Sequence, residues 1–160
     1  MENVIMGFPY QKRHCKAFNI IGFSKIVKSG GELYEEIRAD GRWEALTDMN
    51  PANKSIYCIA SFDSECAKDH YRYSAGVVQD ENYTENQLYA DQLFRYHVKE
   101  SDWIIFSIDF AVDYGVFWSK NPYKMISELG CKFNNRLGLH IDVFGAEYDG
   151  HMMDFWMPVK

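Results

Sequence analysis

The segment GHMMDFWMPVK alternates along an extended chain. Met153, Phe155, Met157 and Val159 fall on one side, and Met152, Asp154 and Trp156 on the other. Successive strand side chains point to opposite faces, so this is a strand with one wholly apolar face. Pro158 lacks an N–H for the ladder and belongs at the strand's end or on an edge. The segment is predicted to be a core strand that closes a sheet.

The same reading runs through the chain. AFNIIGFSKIV (17–27) is rich in β-branched and aromatic residues and reads as a strand. Ser29 and Glu32 have capping-box spacing, so a helix begins there, carrying Leu33, Ile37, Trp43 and Leu46. Gly41 weakens it and NPAN from Asn50 ends it. Strands over 55–63 and 70–80 form a hairpin around the polar turn SECAKD. ENYTENQ connects to a second half. There, LFRYHV and WIIFSIDF are strands around KESD, and VDYGVFW and NPYKMISEL are helical. Asn121 is the N-cap, Pro122 the first helical residue, and Gly130 the stop. Strands 139–148 and 151–159 form a last hairpin turning at Asp149-Gly150.

Strand, helix, hairpin therefore occurs twice, at about 17–80 and 91–160, behind an extension of about 1–16. The expectation is one α+β domain spanning 1–160. Antiparallel sheets of the two pseudo-repeats form a central ligand cleft, and helices cover the outer faces.

Composition narrows the function. With 160 residues the chain can bury a sizeable core, and its 16% aromatic content exceeds what that core needs. Rings in excess favour ligand pockets and interfaces. A net charge of −6 disfavours phosphate recognition, so no direct nucleic-acid partner is expected. No apolar run is long enough for a bilayer helix and no secretory signal is evident, so no membrane partner is expected. Cys15, Cys58, Cys66 and Cys131 are widely spaced and read as reduced thiols of a cytoplasmic protein.

Four stretches, FNIIGFSKIV, IYCIASFDSECAKDHYRYSAGVVQDE, RYHVKESDWIIFSI and IDVFGAEYDGHMMDFWMPVK, resemble in order and spacing the GyrI-like effector-binding domains of SOUL-like fold. These are the ligand domains of bacterial AraC-type and MerR-type multidrug regulators, and they also occur free-standing. The closest resemblance is to integron-cassette effector-binding proteins. Two features depart from the pattern: KESD stands where the family has a Pro-small-Gly turn, and Asp142 stands where it usually has Glu. No helix-turn-helix precedes the domain, so a stand-alone binder is expected, with no direct role in transcription regulation by DNA contact.

The resemblance implies an acid among rings, holding a lipophilic, cationic or polycyclic small molecule. Asp142 matches the acidic-x-aromatic strand and takes that role. Alternation puts His140, Asp142 and Phe144 on one face, expected to line the cleft, and Leu139, Ile141 and Val143 on the other, expected to meet the helices. A solvent-facing acid on a half-exposed strand fits Asp142 equally well. Asp154 shares a face with Trp156 and joins Asp142 on one wall if their strands are neighbours, although a surface acid also fits. Glu147 either caps the cleft or solvates a hairpin. Tyr57, Tyr73, Trp103, Trp118 and Phe144 form the ring set, with Trp156 and Tyr148 as further candidates. His140-x-Asp142 is a weak metal signal, and no cofactor is expected.

Partners implied are the small molecule and, beyond it, a homodimer mate or a separate regulator chain. The resemblance also implies a second activity: some stand-alone GyrI-like proteins open the cyclopropane of genotoxins by adding water, which needs a carboxylate and an aromatic slot.

Overall fold

Gly41 decides the first local question. It sits at φ 85°, the left-handed region that glycine adopts without penalty, and the helical stretch breaks there into α1 (Gly31–Ala39) and α2 (Arg42–Met49). Half of the expected capping box forms. The Glu32 carboxylate accepts from the backbone N–H of Ser29 at 3.2 Å and of Lys28 at 2.8 Å. An alanine at position 41 would meet nothing within 4 Å, so its cost is purely conformational. Gly41→Ala is expected to cost about 1–2 kcal/mol. In a thermal melt this reads as a Tm lower by about 3–6 °C.

The structure is a computed structural model and describes residues 3–62 and 66–160. The first part of the predicted SECAKD turn, residues 64–65, and the end of the strand before it, residue 63, lie outside the described residues. The strands are β1 (Val4–Ile5), β2 (Phe8–Cys15), β3 (Phe18–Val27), β4 (Ile56–Ser61), β5 (Tyr71–Val78), β6 (Phe94–Val98), β7 (Ser101–Asp109), β8 (Leu139–Phe144) and β9 (Met152–Val159). The remaining helices are α3 (Tyr114–Ser119) and α4 (Pro122–Glu128). Asn121 caps α4 by accepting from the Tyr123 N–H at 3.0 Å, with Pro122 at the first turn. Residues ahead of the first predicted strand also pair, as β1 and β2.

All described strands join one antiparallel sheet in the order β1-β2-β7-β9-β8-β4-β5-β3-β6. The fold is α+β, with the helices on the sheet's outer face. β4–β5 and β8–β9 pair as expected, although β8 ends at Phe144 and a loop over 145–151 replaces the tight turn. β6 and β7 do not pair with each other: β6 borders β3, and β7 lies between β2 and β9.

This order forces the sheet to curl. Only residues 16–17 join β2 to β3, and only 99–100 join β6 to β7. Each pair of strands lies six places apart in the sheet. Flat, six strand spacings would span about 29 Å, while three peptide steps reach about 11 Å. The sheet must therefore roll into an open barrel. Its inner face is packed with Ile20, Ile59, Trp103, Ile105, Ile141, Val143 and Trp156.

The curl needs close backbone approach where β3 meets β5. Gly22 and Gly76 stand directly opposite each other. A Cβ on Gly22 would lie 2.0 Å from the Ala75 carbonyl oxygen, and one on Gly76 would lie 2.3 Å from that of Ile21. Only hydrogen fits at either place.

The apolar side of the GHMMDFWMPVK segment faces outward, under the helices. Met153, Phe155, Met157 and Val159 belong to the core that Leu33, Ile37, Leu46, Phe117, Met125 and Ile126 complete from above. Phe155 is fully buried, edge-on to Phe117 at 5.0 Å and Trp118 at 5.4 Å. β9 is central in the sheet, and Pro158 lies beyond its last pairing with β8, at the strand's end.

Candidate functional site: an acid in a ring-lined cavity

The helices of the two halves stand apart over the middle of the outer face, and between them is a cavity of about 380 Å³. Its floor comes from β4, β5 and β8, through Ala60, Tyr71, Tyr73, His140 and Asp142. One wall is the turn of Ser29, Gly30 and Gly31 with Tyr34 of α1. The other wall is Phe110 with Tyr114 and Trp118 of α3, and Tyr123 of α4. Phe62, 72% exposed, stands at the rim.

Asp142 lies on a central strand, with Cys58 of β4 on one side and Phe155 of β9 on the other. Its side chain is 3% exposed. Two phenols hold it. Tyr73 donates to Oδ2 at 3.1 Å, and Tyr114 donates to both oxygens at 3.2 Å. These hydroxyls stabilise the charged form, but burial acts more strongly and pushes the carboxyl up to about 7. Among the described residues, no lysine or arginine lines the cavity.

His140, two residues away on the same face, is pulled down to about 4 by burial and is neutral at physiological pH. Its ring is stacked near Phe155, with centroids 4.9 Å apart, and near Trp118 at 5.3 Å. Its Nδ1 has no hydrogen-bond partner among the described residues.

The rest of the wall is braced from behind. The Tyr71 hydroxyl accepts from the Gly30 N–H at 2.6 Å, tying β5 to the turn before α1. A Cβ on Gly30 would come within 2.7 Å of the Tyr73 ring, so this turn packs on the floor only as glycine. Tyr34 and Tyr148 share a hydroxyl–hydroxyl hydrogen bond of 2.7 Å.

Of the residues singled out from sequence, Tyr73, Trp118, His140 and Asp142 line the cavity. Phe144 shares the outer face but sits behind the wall, packed on Tyr34 at 5.4 Å and Tyr148 at 4.7 Å. Tyr57, Trp103 and Trp156 are packed together on the inner face. Asp154 is on that face too, 3.4 Å from the Ser107 hydroxyl, so the two acids lie on opposite sides of neighbouring strands. Glu147 is exposed in the 145–151 loop, whose Tyr148 braces the wall. The helices cover the Asp142 face of β8, whereas Leu139, Ile141 and Val143 point into the barrel, the reverse of the alternation argument's assignment. Both faces of β8 are buried, so polarity could not label them.

Sequence reasoning passed over Tyr34, Phe110, Tyr114 and Tyr123 as lining residues. Tyr114 and Trp118 stand four apart on one helix face, a signal that was available. Tyr34 and Phe110 had none, because only the packing of the two halves brings them over β8.

No known protein family matches the chain by sequence, and no curated protein matches it. Solved structures do. SAV2435 bound to tetraphenylphosphonium superposes with a TM-score of 0.71 at 14% identity, over 94% of this chain and 93% of that one. The C-terminal domain of EcmrR gives 0.62 at 11% identity, over 97% and 99%. A hydrolase from Listeria innocua gives 0.59 at 8% identity, over 94% and 91%. The chain shares the fold of these proteins, an α+β fold of the kind its sequence motifs led one to expect.

Proposed function

We propose that this protein binds a lipophilic cation or a polycyclic molecule of similar shape in the cavity over β4, β5 and β8, as an effector-binding domain. One observation carries the reading: a buried carboxylate, Asp142, sits on the floor of a ring-lined cavity where, among the described residues, no cationic side chain pairs it. An unpaired buried charge is costly, and an incoming cation supplies the missing partner. Tyr71, Tyr73, Tyr114 and Trp118 offer ring faces that attract the same cation and cover its apolar surface. The size suits one drug-sized molecule. The shared fold of a protein bound to tetraphenylphosphonium supports the choice of ligand class. The setting proposed is cytoplasmic; no described helix is long and apolar enough to cross a membrane. A separate regulator chain or a second copy remains the proposed macromolecular partner.

The test is a thermal-shift and tryptophan-fluorescence titration with tetraphenylphosphonium and with neutral polycyclic compounds. Stabilisation that grows with ligand concentration is expected. No shift with any of them would remove the reading. Tyr114→Phe keeps the ring but removes one of the donors to Asp142. Hydrogen bonds to a charged group contribute about 1.5–3 kcal/mol, so its affinity for tetraphenylphosphonium at pH 7 is expected to fall roughly ten- to hundredfold.

A second reading is hydrolysis of a cyclopropane-bearing genotoxin. It is supported by a buried carboxyl poised near neutrality, the range for general acid–base work, and by the fold shared with a hydrolase. Turnover separates the two: a binder protects one equivalent of toxin, while an enzyme consumes an excess.

A further inference from the structure

The cavity asks what occupies Asp142 when no ligand does. The groups facing it come from every element packed around it. Its own strand β8 contributes His140; β4 contributes Cys58 and Ala60; β5 contributes Tyr71 and Tyr73; β9 contributes Phe155; α1 contributes Tyr34; α3 contributes Tyr114 and Trp118; α4 contributes Tyr123. Every one of these is neutral at physiological pH. Burial pulls His140 down, and it pushes the Cys58 thiol and the Tyr71, Tyr73 and Tyr114 phenols up. The two phenols can donate to a carboxylate but cannot neutralise it.

We propose that the empty cavity holds a proton on Asp142 and that a lipophilic cation binds by displacing it, one proton released to solvent for each cation taken up. The proposal rests on the binding reading above and specifies its regulation. The protonated acid and the free cation become a carboxylate–cation pair and a free proton, so charge inside the cavity is unchanged by binding. The cavity never carries an unpaired charge in either state, which is what its depth and its neutral walls require. Occupancy then depends on pH as well as on ligand: acid favours the empty site and alkali the filled one.

The experiment uses the full chain and tetraphenylphosphonium, a permanent cation with no proton of its own. Its Kd is measured by fluorescence from pH 5.5 to 9. Heats are also measured at pH 6 in two buffers of different ionisation enthalpy. With Asp142 near 7 in the empty protein, affinity should rise roughly eightfold from pH 5.5 to 6.5 and change by less than about 1.2-fold from pH 8 to 9. The buffer difference at pH 6 should report close to one proton released per cation. His14 and His151 are exposed and do not line the cavity.

Binding that is tight and independent of pH across this range overturns the proton exchange while leaving the binding reading intact. Absence of binding at every pH overturns the binding reading itself. His140→Gln should keep the pH slope; losing it would place the proton on His140 and overturn the assignment to Asp142. Asp142→Asn, checked for a cooperative melt, should show weak binding with no slope. A slope that persists in it would likewise refute the proposal.

Discussion

Asp142→Asn is expected to make the empty protein more stable at pH 8 and, in the same molecule, to weaken cation binding. An acid that titrates near 3.8 in the open chain and at about 7 in the folded one binds its proton more tightly when folded. Its contribution to stability is therefore harmless in acid, falls as pH rises through the interval from 3.8 to about 7, and is flat above. The penalty at pH 8 is a few kcal/mol, at roughly 1.4 kcal/mol per pH unit of that interval. Asparagine has nearly the same shape and no such penalty, and the Tyr73 and Tyr114 hydroxyls can turn to suit it. A Tm higher by on the order of 10 °C at pH 8 follows, shrinking to nothing near pH 4. Affinity for tetraphenylphosphonium should drop by roughly 30-fold or more, since breaking a buried charge pair costs about 2–5 kcal/mol. Paired melts at pH 4 and pH 8, with and without ligand, check both halves. A wild type as stable as the variant at pH 8 would mean that Asp142 is not held as an unpaired acid.

Gly76→Ala, or Gly22→Ala, should be more damaging than any change in the cavity. At each position the new methyl carbon would meet a backbone carbonyl oxygen of the neighbouring strand, at 2.3 Å and 2.0 Å respectively. Backbone cannot swing aside as a flexible side chain can, so β3 and β5 must separate or slide. That opens the seam holding both Tyr73 on the outer face and Ile20 on the inner. A loss of about 3–5 kcal/mol is expected, at the upper end for single substitutions. Urea unfolding compared with Gly41→Ala, which meets nothing, separates this clash from the loss of glycine flexibility. Equal effects at positions 41 and 76 would show that the sheet is not drawn tight here.

The local chemistry was legible in the sequence. Period-two alternation marked Met153, Phe155, Met157 and Val159 as one apolar face, and the structure buries them all. Asn121-Pro122 marked the start of α4, and Gly41 a weak point in the first helical stretch, where the structure breaks it in two. Asp142 was singled out through the resemblance of its strand to the acidic-x-aromatic pattern, and it is the acid on the cavity floor. These features depend on neighbours a few positions away, and the chain writes them directly.

The side on which each strand face lands was not legible. Trp103, Trp156 and Tyr57 have the same ring chemistry as Trp118 and Tyr73, yet the first three fill the barrel while the other two line the cavity. Alternation separates two faces but does not name them, and here both are covered, so neither polarity nor aromatic content distinguishes inside from outside. The links at 16–17 and 99–100 made the decision: too short to cross a flat sheet, they rolled it up, closed the inner face around its rings, and left the outer one for the helices. Sequence by itself determined most of the strands, and the resemblance put Asp142 forward as the acid among rings. Tertiary structure alone decided that Tyr114, from a helix 28 residues away, would meet that acid and that no lysine or arginine would, because both facts depend on how the two halves close over β8.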